Sequence, residues 1–204
     1  MAKSKNTEQK IFDAATELFL EKGVDRTSVR EIANKAGINL ALMNYYFRSK
    51  ENLFDAIFSM QVKKNTCKMI KIMDSDLELE EKIRSYVSAY IDMLIENPLL
   101  VSFVMAIVHR SQERITQMNA ISSLYSSPKF AKQISDESAK GNIIPTNPTQ
   151  LFVDMVSLIT FPFAIKALIK DRVGYGEAEF KAFLEDRKKR IPDLLLAYLK
   201  PVKS

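Results

Sequence analysis

Residues 28–50 constrain this chain more than any other stretch: two short helical signals flank a glycine, and an aromatic and basic cluster closes them. Ser28 stands three residues before Glu31, the spacing at which hydroxyl and carboxylate cap each other's orphan backbone donors, so a helix is predicted to start there. Val29, Ile32, Ala33 and Ala36 then recur at helical spacing and give that helix one narrow inward stripe. Gly37 suits the left-handed position that ends a helix, Ile38 can anchor the turn, and Asn39 is a favoured N-cap for the next helix. A turn this short lets two helices pack at a steep angle, which is the geometry of a helix-turn-helix.

The second helix, residues 40–47, places Met43 and Phe47 one turn apart on an inward face. That leaves Leu40, Ala41, Asn44 and Tyr45 wholly or partly outward. In a helix-turn-helix this second helix enters the DNA major groove. Asn44 can pair bidentately with adenine, Leu40 and Ala41 can meet a thymine methyl, and Tyr45 or Tyr46 can donate to phosphate. Arg30 can reach a guanine edge or a phosphate. Ser49 is predicted to cap a further helix, and Lys50, badly placed for that helix's dipole, is expected to serve an external anion. With Thr27, Ser28 and the N-cap Asn39, these residues form the candidate DNA-binding set.

The stretch from Thr27 to Ala33, then Gly37-Ile-Asn39, then Tyr45-Tyr-Phe-Arg-Ser-Lys-Glu-Asn-Leu53, resembles the tetracycline-repressor (TetR) family of bacterial transcription regulators. An upstream helix with Ile11, Ala14, Ala15, Leu18 and Phe19, ended by Glu21-Lys-Gly23, is similar to the family's first helix. The resemblance implies phosphate contacts from Thr27, Ser28, Tyr45, Tyr46 and Lys50, and base reading by Arg30, Leu40, Ala41 and Asn44. Leu40 and Asn44 depart from the commonest residues of the family, so the operator sequence cannot be transferred from a relative. An all-α fold is expected: a three-helix head over residues 1–50, a long connecting helix over about 49–73, and a helical effector-binding and dimerisation body over 51–204.

Charge and composition agree with a DNA partner. Residues 1–73 hold 13 Lys or Arg and 8 Asp or Glu, which accounts for the whole net charge of +5 among 204 residues. A modest basic excess at one end favours phosphate without making the chain polycationic. Cys67 is the only cysteine, which excludes an intrachain disulfide and suits a reducing compartment. The polar N-terminus lacks the apolar core of an export signal. No membrane span is expected either, because the most apolar stretch, residues 151–169, contains Asp154, Pro162 and Lys166. A cytoplasmic location follows as an expectation.

The body reads as helices throughout. Segments are expected at 79–96, 101–110 and 112–125, then from Ser127-Pro128 to Gly141, and again from Asn147-Pro148. The stretch 151–169 is apolar around more of its circumference than one core-facing stripe needs, and a last helix follows Gly174-Tyr-Gly176, with a kink expected near Pro192. Leu158, Phe161, Ile165, Phe183, Leu184, Leu195 and Tyr198 from these two helices are the candidate dimer interface. A two-fold pair of heads also suits two DNA half-sites about 34 to 36 Å apart. By analogy with the family, Phe103, Met105, Met118, Tyr125, Phe152 and Met155 are candidates for an apolar effector pocket. His109, Arg110 or Gln117 would supply its polar contacts.

The function expected is that of a ligand-responsive repressor that binds a palindromic operator as a homodimer and releases it on binding a small apolar effector. Activation by the same fold and a helical protein-interaction module are competing readings. An all-α enzyme is a third, against which one histidine and one cysteine leave little acid–base or nucleophilic chemistry. No cofactor or metal site is expected.

Overall fold

The computed structural model describes residues 2–24, 26–98, 100–102, 104–105 and 127–201, and among them every regular element is an α-helix. The chain divides into two compact units, residues 1–63 and 64–204, each with its own core. The boundary falls inside the connecting helix, later than the expected residue 50. Leu53, Phe54 and Ile57 are buried with the head, and Phe54 meets Phe19 edge to face at 5.8 Å.

In the head, α1 (Ala2–Lys22) buries Ile11, Phe12, Ala14, Ala15, Leu18 and Phe19 and ends at Gly23, whose φ is +83°. Next, α2 (Val29–Ala36) packs against α1 through Ile32 and Ala33 and hands over to α3 (Leu40–Phe47), which buries Met43 and Phe47. The Phe47 ring stands edge-on to Phe12 at 5.4 Å. The long helix α4 (Lys50–Met73) starts with Ser49 Oγ accepting the Asn52 amide at 3.1 Å, the expected N-cap, and runs without a break across the unit boundary.

The body is built on α5 (Leu79–Glu96), whose Ile83, Tyr86, Val87, Ile91 and Leu94 are almost fully enclosed. Three more helices pack with it or with one another: α6 (Pro128–Ala139), α7 (Pro148–Ala164) and α9 (Glu177–Leu199), with short α8 (Lys166–Val173) between the last two. Both prolines at helix starts sit where expected, with Ser127 Oγ capping Phe130 and Asn147 Oδ1 capping Gln150. Residues 100–102 and 104–105 are helical as expected for a segment starting near 101, and the expected helix 112–125 lies outside the described residues.

The apolar stretch 151–169 is not one helix. It survives Pro162 and breaks at Ile165, where α7 and α8 meet at a 65° bend. Proline removes the donor that would serve the carbonyl four residues earlier. The Arg187 guanidinium of α9 donates to that carbonyl, Leu158 O, at 2.6 Å. The orphaned acceptor is satisfied from another helix, and α7 continues. Helix α9 likewise runs unbroken past Pro192. Among the described residues no single helix is long and apolar enough to cross a membrane; the bent α7–α8 pair reaches that composition only when both members are taken together.

The charge partition changes with the boundary. Residues 1–63 carry 10 Lys or Arg against 8 Asp or Glu, and the remaining excess comes from Lys64, Lys68 and Lys71 on the second half of α4. The basic surplus is therefore shared between the units rather than confined to the head.

Candidate nucleic-acid interface

Helices α2 and α3 are each fixed at both ends by groups close in sequence. Ser28 and Glu31 form the reciprocal capping box: Ser28 Oγ accepts the Glu31 amide at 3.2 Å, and Glu31 Oε2 accepts the Ser28 amide at 2.7 Å. Gly37 takes φ +68°, and the Ile38 amide reaches back to Ala33 O at 3.0 Å, so α2 closes in a Schellman turn. Asn39 Oδ1 accepts the Leu42 amide at 2.7 Å and opens α3. At its far end the Arg48 amide donates to Asn44 O at 2.9 Å, with Arg48 itself in a positive-φ conformation.

With the ends of α3 held and Met43 and Phe47 turned into the core, its outer surface consists of Ala41, Asn44 and Tyr45. Leu40, Leu42 and Tyr46 are half-buried beside them. Tyr45 is 80% exposed, far more than an aromatic ring gains by facing water alone. It meets Tyr46 edge to face at 5.6 Å, which limits the positions its ring can take. On α2, Arg30 is exposed, and neither its guanidinium nor the Asn44 amide is engaged by another described side chain. Arg48 is exposed directly after α3 and was missed by sequence reasoning. The signal was a basic residue at the C-cap of the recognition helix.

Two residues expected at phosphate have internal partners instead. Thr27 is 1% exposed, and its hydroxyl donates to Gly23 O at 2.8 Å and Leu18 O at 3.3 Å, tying the α1–α2 loop to α1. Lys50 donates to Val24 O at 3.0 Å and Thr27 O at 3.1 Å. The expectation that its ammonium serves an external anion is corrected: a loop of residues between helices leaves carbonyls without helical donors, and a cation one helix away satisfies them.

Charge also braces the outside of the head. Lys35 pairs with Glu17 at 2.5 Å across α2 and α1. Lys22 pairs with Glu31, and that bond, together with the Ser28 amide and hydroxyl, lowers the Glu31 carboxyl from an ordinary 4.5 to about 2.

In the body, the expected effector and dimer residues are divided. Phe103, His109, Arg110, Gln117, Met118 and Tyr125 lie outside the described residues. Phe152 and Met155 are buried on α7, with Phe152 edge-on to Tyr86 at 5.9 Å and near Phe130 at 6.5 Å. Met105, expected to line the pocket, is 45% exposed, which places it on the surface because burial along that helix is taken by Leu100 and Val101. Of the expected interface, Leu184 and Leu195 are corrected to subunit core. They lie in the inward series Phe180, Leu184, Ile191, Leu195 and Leu199 of α9, which packs on α5. Phe161 and Tyr198 are 60% and 61% exposed, and Leu158, Ile165 and Phe183 are half-buried. Leu194, Leu168 and Val153 extend the exposed apolar surface.

A capped helix-turn-helix with an open outer face on α3, followed by a body that is helical in its described residues, is a two-part helical architecture. The family of bacterial regulatory proteins called tetR matches residues 11–57, the segment that builds this head. A probable helix-turn-helix transcriptional regulator from Bacillus subtilis, YttP, is 44% identical over 54 residues, which are 26% of this chain and 26% of that protein. The match thus spans about a quarter of that relative's length. Over the whole fold the chain is similar to a TetR/AcrR-family regulator from Thermobifida fusca, with a TM-score of 0.64 and 19% identity over 91% of this chain and 96% of the other. It is also similar to a Rhodococcus protein of unknown function, with a TM-score of 0.70 and 14% identity over 96% of each. The similarity to the tetR family is thus confined to the helix-turn-helix segment, and over the whole chain the likeness is one of all-helical fold.

Proposed function

We propose that the chain is a cytoplasmic transcriptional repressor that binds a palindromic operator as a homodimer and leaves it when a small, mainly apolar effector occupies the body. The observation that carries the DNA reading is the outer face of α3, where Ala41, Asn44 and Tyr45 are exposed on a helix whose two ends are fixed by caps. Arg30, Leu40, Ala41 and Asn44 read bases, Ser28, Tyr45 and Tyr46 contact phosphate, and exposed Arg48 adds a cation at the end of the recognition helix. Thr27, Asn39 and Lys50 act indirectly, by holding the backbone that presents those groups.

The apolar surface of α7 and α9 supports the dimer: Phe161, Leu194 and Tyr198 are each more than half exposed, and a two-fold mate would cover them. Phe152 and Met155, enclosed in the body, support an apolar effector site near them. Release requires that the effector bind the two body conformations with different affinity, since a ligand with equal affinity shifts nothing.

The test is selection of the full chain against random DNA, then salt titration on the selected sequence. Salt-sensitive binding to one palindrome is expected, with Asn44→Ala relaxing base preference and Arg48→Ala weakening all sequences while lowering the salt slope by about 1. Failure to enrich any sequence, with no salt-sensitive binding, would reject the DNA reading and favour a protein-interaction module.

A further inference from the structure

The turn between α4 and α5, the start of α5 and one side of α6 line an open polar cavity of about 360 Å³ on the body. That volume lies in the range of small-molecule sites, about 300 to 1,000 Å³, yet this cavity is edged by charged residues rather than apolar ones. Its inner wall is Lys82. Along α5, Lys82 falls on the same stripe as Leu79, Ile83 and Tyr86, where a core residue is expected, and it is only 1% exposed.

A lysine this buried is ordinarily matched by a carboxylate. Here both hydrogen-bond acceptors are neutral: Ser75 O at 2.9 Å and Gln133 Oε1 at 2.6 Å. The Gln133 amide is oriented by its own donation to Leu77 O at 3.0 Å, which keeps its oxygen toward the ammonium. Among the described residues, one N–H of Lys82 and its full charge have no ion-pair partner. Burial and the nearby Lys129 both lower the Lys82 pKa, with Asp76 and Asp74 opposing them, as expected for a cation without direct compensation.

Three of the four carboxylates on the rim are already engaged, and the fourth, Glu78, is exposed. Asp76 pairs with Lys129 at 2.6 Å, Asp136 with Lys132 at 2.5 Å, and Glu137 with Lys140 at 2.8 Å. These pairs are largely exposed and individually weak, so their lysines can turn toward a stronger acceptor inside the cavity.

The geometry points to a binding site for a small oxyanion, a carboxylate- or phosphate-bearing metabolite whose anionic group rests against Lys82 and is closed over by Lys129, Lys132 and Lys140. Its ligand is the chemical opposite of the apolar effector proposed above, and its validity does not depend on that proposal. The buried ammonium selects for a charged oxygen, and the cavity volume admits a small organic acid or phosphate ester rather than a polymer.

The experiment uses the full chain labelled with ¹³C at lysine ε-carbons, titrated separately with inorganic phosphate, succinate and, at equal ionic strength, sodium chloride. A saturable shift of the Lys82 signal with phosphate or succinate but not chloride is expected, and the probe that saturates at lower concentration identifies the anion class. Lys82→Met assigns the signal and should abolish the response. Because that change removes a buried group, Lys132→Ala on the exposed rim carries the affinity test, with at least threefold weaker binding expected. Equal shifts with chloride, no saturable shift with either oxyanion, or unchanged affinity in Lys132→Ala would overturn the assignment.

Discussion

The ends of the head's helices are set by polar groups a few residues apart, whereas the body's helices are also tied to one another by polar contacts that span the chain. Ser28 with Glu31, Asn39 with Leu42, and Ser49 with Asn52 each close a helix end over three residues. In the body, Lys188 of α9 reaches Asp92 of α5 at 2.5 Å, Arg84 reaches Asp193 at 2.8 Å, and Arg187 reaches back to the Leu158 carbonyl. A recognition surface has to stay exposed, so the helices that present it cannot be steadied by burial on that side, and short-range caps fix them instead. The body can bury its helices on one another and uses charge to set how they meet.

The largest effect should come from the apolar half of that contrast. Met155 is fully buried on α7, and Met155→Ala should cost about 2 to 5 kcal/mol of body stability. Urea unfolding followed by circular dichroism measures it. A loss below about 1 kcal/mol would mean that this core is loosely packed and that long-range polar contacts hold the body.

Next in size is the polar contact that lets α7 pass through its proline. Arg187→Met leaves Leu158 O without a donor in the interface of α7 and α9, at a cost of about 1 to 3 kcal/mol. Adding Pro162→Ala returns a backbone N–H four residues after Leu158, so the same arginine substitution should cost much less in that background. A double-mutant cycle with no coupling would show that Arg187 acts only by packing on Phe183, whose ring lies 5.6 Å from its guanidinium carbon.

The same contrast explains what could be read from the sequence. Helices α2 and α3, their caps and the buried pair Met43 and Phe47 followed from residues within one turn of each other, and the structure has them where they were expected. The position of α5 and the starts of α6 and α7 were legible for the same reason, since proline, asparagine and serine mark helix ends locally. What could not be read depends on partners distant in sequence. The inward face of α9 is chosen by α5, which is why Leu184 and Leu195 lie in the core. The passage of α7 through Pro162 depends on Arg187 of α9, and Lys50 is held by carbonyls of a loop that precedes α2.

A smaller loss is expected from the head's own cap. Ser28→Ala removes one side of the capping box and should destabilise the head by about 1 kcal/mol. DNA affinity should fall for all sequences alike, because Ser28 caps α2 and meets phosphate without touching a base edge. Altered base preference in this variant would break the division between groups that hold the helix and groups that read.

The smallest effect is the most discriminating, because it compares two exposed carboxylates lowered to the same value by different means. Glu31 is depressed to about 2 by Lys22 first and then by the Ser28 amide and hydroxyl, whereas Glu177 is depressed to about 2 by Lys166 and Lys170 alone. A carboxyl whose pKa falls on folding adds stability that is complete above its unfolded value near 4.5 and lost as pH drops toward 2, so both units should weaken over that window. Salt separates them. Ion pairs at the surface are screened, while a backbone amide bonded inside a capping box is not displaced by counterions. Carboxyl titration by NMR at high salt should therefore return Glu177 most of the way to its ordinary value and Glu31 only part of the way. Equal recovery would mean that the head's cap contributes nothing beyond charge, and the contrast between locally and remotely held helices would fail at this point.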